Sequence, residues 1–233
     1  MSEAHPPVRS FGRIRSRAIK PRQAGLMETL LPRLALPDLA AGPIDPRALS
    51  PAPFGADEAA EVWLEIGFGG GEHMAAQAAP RPDVLVLGAE PFLNGAASAL
   101  RHIDQGGLGN VRLHVGDARA LLDALPDASL DRVFILFPDP WPKARHHKRR
   151  LIQADFVAAL ARVTRPGARV RFATDWADYA DRALERLLAS GAFRWTAARA
   201  DDWRLPPADH VTTRYERKRL GDIAPIFLDF ERV

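Results

Sequence analysis

"VWLEIGFGGGEH" (Val62–His73) decides how this chain folds. Its first half is nearly all apolar, and Gly67, Gly69, Gly70 and Gly71 then lead into a segment with helical character. A strand buried on both faces reads as a continuous apolar run rather than as an alternation, so the stretch predicts strand, tight turn and helix. Runs of the same form recur at 84–90, 111–117, 131–138 and 169–175. Helix-like segments lie between them, at about 72–79, 92–104, 118–124, 151–163 and 177–190. Strands alternating with helices predict βαβ units and a mostly parallel sheet. Two late runs, 193–199 and 226–232, are expected to supply edge strands, which makes seven.

The remainder bounds the reading. The chain has 233 residues, 47% hydrophobic and 26% charged, which suits one α/β domain. Upstream of the first strand, a helix is expected near 25–35, followed by an irregular connection rich in proline (Pro37, Pro43, Pro46, Pro51, Pro53). Residues 1–25 are aperiodic, and no acid falls between Glu3 and Glu28 while six Lys/Arg do. They read as a flexible basic arm ahead of a single domain at 26–233. Net charge is only +3, but the cations are grouped at 9–22, 143–150 and 214–219. Separated basic blocks on a nearly balanced chain point to a polyanionic partner. With no cysteine, disulfides and thiolate metal sites are excluded. No run of about 18 apolar residues suggests a membrane span, and the N-terminus lacks the apolar core of a secretory signal. A cytoplasmic protein is the simplest expectation; monomer and homodimer both stay open.

Each of the five parallel strands ends near an acid: Glu65, Glu90, Asp117, Asp139 and Asp175. Ligands of open α/β sheets bind outside the carboxyl ends of the strands, so these acids should line one crevice. A nicotinamide dinucleotide would want G-x-G-x-x-G, but the third glycine position is Glu72, an acid where a pyrophosphate would sit. The turn suits a cationic ligand without phosphate, such as S-adenosyl-L-methionine. "EIGFGGG" resembles the E/D-x-G-x-G-x-G turn of the Rossmann-like class I methyltransferases. Gly67 and Gly69 would then let the cofactor approach the backbone, Glu90 would accept from ribose hydroxyls, and Asp117 would lie at the adenine. Loop and acids together favour a methyltransferase over a dehydrogenase.

"FPDPWPKARHHKRR" (137–150) follows the fourth strand. Pro138 and Pro140 restrict the backbone on both sides of Asp139, so its carboxylate is held without ordering cost at the moment of reaction. Trp141 reads either as a stacking surface for a base or as a loop anchor. Five Lys/Arg and two His within Lys143–Arg150 would hold phosphates and draw a nucleic acid to the acid beside them. His146 and His147, inside that run, read as phosphate neighbours rather than metal ligands, and no metal is expected. His73 and His114 read as structural.

At this point the chain resembles the bacterial tRNA (guanine-N7)-methyltransferases over about residues 10–233. "LEIGFGGGEH", "GAEPF", "LFPDPWPKARHHKRRL", "FATDWADYA" and "TRYERK" carry the likeness, in that order. The resemblance implies methyl transfer from S-adenosyl-L-methionine to N7 of guanine 46 in the tRNA variable loop. It implies that Glu65, Glu90, Asp117 and Asp139 line the cofactor site. Lys143, Asp175, Thr213, Arg214, Tyr215 and Glu216 would bind the substrate, and Arg145, His146, His147, Lys148, Arg149 and Arg150 would contact RNA. Two positions depart from the family pattern: Pro142 stands where a polar residue is frequent, and Tyr215 where phenylalanine is common.

Guanine N7 carries an in-plane lone pair and no proton, so no general base is needed. Asp139 is the first choice for stabilising the charge that methylation places on the purine. Asp175 and Glu216 could accept from the guanine N1–H and amino edge; for Asp175, capping the helix that starts near 177 is the rival reading. Competing functions are methylation of another RNA base nitrogen or of protein, and tRNA binding without catalysis. Deleting residues 1–22 is expected to weaken tRNA binding and flatten its salt dependence in filter-binding titrations; unchanged binding would refute a role for the arm.

Overall fold

The computed structural model describes residues 18–49 and 61–233, so most of the expected arm lies outside the described residues, as do Pro51 and Pro53. The five apolar runs are strands β1 (Glu61–Ile66), β2 (Val84–Ala89), β3 (Val111–His114), β4 (Leu130–Leu136) and β5 (Thr164–Thr174). With β6 (Phe193–Trp195) and β7 (Ile226–Arg232), they make seven strands in one sheet among the described residues, in the order β3-β2-β1-β4-β5-β7-β6. β1 pairs in parallel with β2 on one side and β4 on the other. The chain therefore winds outward to β3 and returns, leaving a topological switch point beside β1.

The last two strands differ from expectation. Only β6 is an edge; β7 lies inside the sheet, antiparallel to both β5 and β6, and makes the sheet mixed. "IFLDFER" can sit there because alternate side chains serve both faces: Phe227 faces one core, Leu228 and Phe230 the other.

Helices cover both faces, which is why the strand runs are continuously apolar. Val62, Leu64 and Ile66 pack with residues of α5 (Ala118–Ala124), α6 (Ala154–Val163) and α7 (Ala177–Ala189). Trp63, Val86 and Phe134 face the opposite side, with α3 (Glu72–Ala78), α4 (Leu93–Gly106) and the short α2 (Leu31–Leu34). The first helix, α1 (Pro21–Thr29), starts earlier than the expected 25. Pro21 at its first turn explains this: a proline there has its φ preset and needs no hydrogen-bond acceptor for an N–H it lacks. Arg22 on α1 pairs with Asp104 of α4 at 3.3 Å.

On the α3 side, β4 and β5 carry two arginines, Arg132 and Arg171, which lie over the ring of Phe134. The segment around Asp209 covers them. The Asp209 carboxylate receives Arg132 and Arg171, each at 2.6 Å, and Asp229, opposite Arg171 in the ladder, takes its other face at 2.7 Å. Burial pushes the Asp209 carboxyl up, but the hydrogen bonds and charges of Arg171 and Arg132 outweigh it and hold the group at about 2. The unfolded chain protonates the same group near 3.8. The native state therefore binds fewer protons between those values, so this contribution is present above the unfolded value and lost as pH falls toward about 2. In acid unfolding titrations, Asp209→Asn is expected to remove the part of the pH dependence between those two values.

Candidate active site

The glycine turn forms the floor of a crevice at the carboxyl ends of β1, β2 and β4. Gly71 has φ +79° and closes the turn where a side chain would meet Ala99 of α4. Across the turn, Gly95 of α4 lies so close to the Gly69 carbonyl that a Cβ would come within 2.6 Å of its oxygen. The Gly69 N–H points to the end of β2 and donates to Glu90 Oε2 at 2.8 Å, while Phe92 N–H donates to Oε1 at 2.9 Å. Burial raises the Glu90 carboxyl above its ordinary range; these two bonds offset it in part, and the nearby Asp139 and Glu65 charges add to the rise. Desolvation likewise raises Asp139.

The crevice has a volume of about 690 Å³, within the usual span for small-molecule sites. Glu65, Gly67, Gly69, Glu90, Asp117 and Asp139, all expected at the cofactor, line it together. Glu65 is buried within β1 rather than at its end, with Oε2 2.6 Å from His73 Nδ1. Asp117 caps α5 by accepting from Arg119 N–H at 2.9 Å, and pairs with the Arg119 guanidinium at 3.3 Å.

The mouth is basic. Trp141 and Arg149 line it, the guanidinium over the indole at 5.0 Å from the ring centre, and His146 packs edge-on with that ring, centroids 6.0 Å apart. His146 is held below its ordinary pKa by partial desolvation and by the cations around it, Arg149 foremost. Lys143, Arg145 and Lys148 are exposed along the turn Ala144–Arg149, outside the crevice lining. His147 lies 3.5 Å from Asp178. Opposite, Thr213, Arg214 and Tyr215 line the crevice. Arg214 reaches Glu72 at 2.8 Å and Ser98 at 3.3 Å.

Three of the expected substrate residues lie away from the open crevice. Arg150 is buried: it donates to the Pro140 carbonyl at 2.7 Å, pairs with Asp178 at 2.6 Å and lies over the Tyr179 ring. Asp175 is also buried, and neither opens on the crevice nor caps α7. It accepts from Gly221 N–H at 2.9 Å and Tyr215 Oη–H at 3.4 Å, while Ala177 N–H at the start of α7 is capped by Asp222. Glu216 turns inward, its Oε2 accepting from Thr213 N–H at 2.6 Å and its Oε1 2.8 Å from His210 Nε2. Since Thr213 Oγ1 accepts from Glu216 N–H at 3.3 Å, "TRYE" is a capping box, a pattern legible in the sequence.

Asn94 and Ser98 of α4, Arg119 and Lys218 also line the crevice and were not anticipated. The small residues Gly95, Ala96, Ala97, Ser98 and Ala99 were the available signal that something packs close to α4. Among the described residues no cluster of His, Asp and Glu could hold a metal ion, and no helix is long and apolar enough to cross a membrane.

A family model described as "Putative methyltransferase" matches residues 59–227. A protein of Caulobacter sp. strain K31, named tRNA (guanine-N(7)-)-methyltransferase, is 63% identical, covering 99% of this chain and 98% of its own. One of the same name from Hyphomonas neptunium is 55% identical, over 96% and 99% of the two chains. The chain belongs to the tRNA (guanine-N7)-methyltransferase family. Its fold is that of class I methyltransferases: the 16S rRNA (adenine(1408)-N(1))-methyltransferase of Catenulisporales acidiphilia superposes with a TM-score of 0.51 at 20% identity, over 75% of this chain and 89% of that one.

In this methyltransferase α4 comes against the main chain of the glycine turn. Gly95→Ala is expected to cost about 1–3 kcal/mol in denaturant unfolding, as overpacking against backbone does. Gly25→Ala, on α1 with open space around it, is expected to be neutral or stabilising by under about 1 kcal/mol.

Proposed function

We propose that this enzyme transfers the methyl group of S-adenosyl-L-methionine to N7 of a guanine in tRNA, with guanine 46 of the variable loop as the acceptor. The observation that carries this reading is the division of one crevice into an acidic floor and a basic mouth, with Asp139 between them. The floor fits the cofactor. The Gly69 N–H that a phosphate would require is already committed to Glu90, and Glu72 stands at the first turn of α3. Buried carboxylates that repel one another are relieved by a cation and can accept from hydroxyls. Glu90 would take the ribose, Asp117 would lie at the adenine, and Glu65, Gly67, Gly69 and Asp139 would surround the rest. Bound there, S-adenosyl-L-methionine supplies an electrophilic methyl on a sulfonium.

The chain's own residues have a limited task, because N7 presents its lone pair without prior deprotonation. They must orient the base, exclude water and receive the positive charge left on the purine. Asp139 sits at the mouth, stiffened by two prolines, where its carboxylate opposes that charge. Lys143, Arg145 and Lys148 hold phosphates on the outside, with Arg149, Arg214 and Lys218 closer in; Trp141 offers a face to the base. Thr213, Arg214 and Tyr215 contact the substrate from the opposite wall.

Methyl-labelled S-adenosyl-L-methionine and an unmodified tRNA transcript test the reading, with label mapped by N7-specific chain cleavage. Cleavage at the variable-loop guanine is expected; label on another base, or on protein, would overturn it. Asp139→Asn is expected to lower kcat by about a hundredfold, while S-adenosylhomocysteine affinity by calorimetry changes by no more than a few-fold.

A further inference from the structure

One buried side chain, behind the crevice lining, links the partner of the floor acid Glu65 to the root of the segment that carries Thr213–Glu216. Gln77, on α3, is almost wholly buried and absent from the crevice lining. Its amide nitrogen donates to the Asp209 carbonyl at 2.6 Å and lies 3.2 Å from His73 Nε2. With both amide hydrogens so used, His73 Nε2 is the acceptor, and the ring proton rests on Nδ1. That proton is donated to Glu65 Oε2 at 2.6 Å, on the cofactor floor. A single tautomer satisfies every member of the row, from carboxylate to imidazole to amide to main-chain carbonyl.

At the far end stands the base of the substrate wall. The Asp209 carboxylate is fixed by Arg132 and Arg171. The next residue, His210, packs edge-on against Phe227 at 4.7 Å and meets Glu216, which closes the capping box on Thr213. From that box Arg214 extends to Glu72, only five residues before Gln77 in the sequence. The segment 209–216 is thus seated at its root by main chain and carboxylate, and its tip reaches the crevice.

We propose that Gln77 is a positioning residue, which sets the Thr213–Glu216 wall in register with the cofactor floor through Asp209 on one side and His73–Glu65 on the other. This rests on the reading of that wall as a tRNA contact. Removing the amide leaves the Asp209 carbonyl and His73 Nε2 without their donors but keeps the Nδ1–H bond to Glu65. The substrate wall should therefore shift while the floor stays formed.

The test uses the full chain with Gln77→Leu, an unmodified tRNA transcript and S-adenosylhomocysteine. Expected are a rise of about tenfold in the KM and Kd for tRNA, the scale of a buried group left unpaired, and S-adenosylhomocysteine affinity within about threefold. Asp209→Ala, acting from the other side of the seat, should reproduce the pattern, and Asp209→Asn, which keeps one acceptor oxygen, should fall between it and the unaltered protein. Unchanged tRNA affinity in Gln77→Leu overturns the proposal, whatever Asp209→Ala does. Equal losses of tRNA and S-adenosylhomocysteine affinity also overturn it, since they mark a general loss of structure. An unaltered protein that puts no methyl on guanine N7 refutes the proposed reaction instead, while the comparison of RNA affinities still decides the seat.

Discussion

The hydrogen bond from Gly69 N–H to Glu90 Oε2 is the contact on which the site depends. It joins the turn after β1 to the end of β2, so the two halves of the floor cannot move apart independently. The same carboxylate takes Phe92 N–H and sets the start of α4, which brings Gly95 against Gly69 and Ala99 against Gly71. It also decides the class of ligand. A glycine turn at a helix N-terminus is ordinarily an anion site, yet here a carboxylate already occupies an amide that a phosphate would use. The turn keeps its close backbone approach and loses its preference for negative charge.

That inversion gives the crevice two ends of opposite character. Inside, burial raises the Glu90 carboxyl and the Asp139 and Glu65 charges add to the rise; outside, Lys143, Arg145 and Lys148 face solvent. Arg150 belongs to the same basic run but does different work. Buried between Pro140, Asp178 and Tyr179, it roots the loop that carries both Asp139 and the exposed cations. Its charge is offset by Asp178 and by the Tyr179 ring face, and the neighbouring hydroxyl is pushed up to about 12 by its burial. The loop is rigid at its base and charged at its surface, a combination suited to presenting one carboxylate to a polyanion.

The sheet was legible because its cause is local: apolar runs of strand length between helix-period segments leave few other arrangements. The crevice acids were legible as a series for the same reason, since position at a strand end is a property of the run that precedes it. What a side chain does there is not local. Asp175 ends β5 as Glu90 follows β2, but β7 and the loop after Tyr215 fold over that end, and Gly221 comes so close that its N–H takes the carboxylate. The path of residues 215–226 decides the outcome, and no periodicity near 175 reports it. Arg150 is set apart similarly: the seven basic residues of 143–150 look alike in the sequence, and only the acceptors beneath the turn separate the buried one from the rest.

The capping box at 213–216 shows the converse, a local pattern with a consequence far from it. Thr213 and Glu216 satisfy each other's backbone, so the Glu216 carboxylate turns in toward its own segment. Thr213, the Arg214 guanidinium and the Tyr215 ring are what the box leaves toward the crevice, the last packed against Phe137 at 5.6 Å. Phe137 immediately precedes Pro138 and Asp139, so the ring that shapes the substrate wall also touches the root of the acidic loop. The acidic loop and the 213–216 wall are therefore joined by this ring pair, which itself lines the crevice.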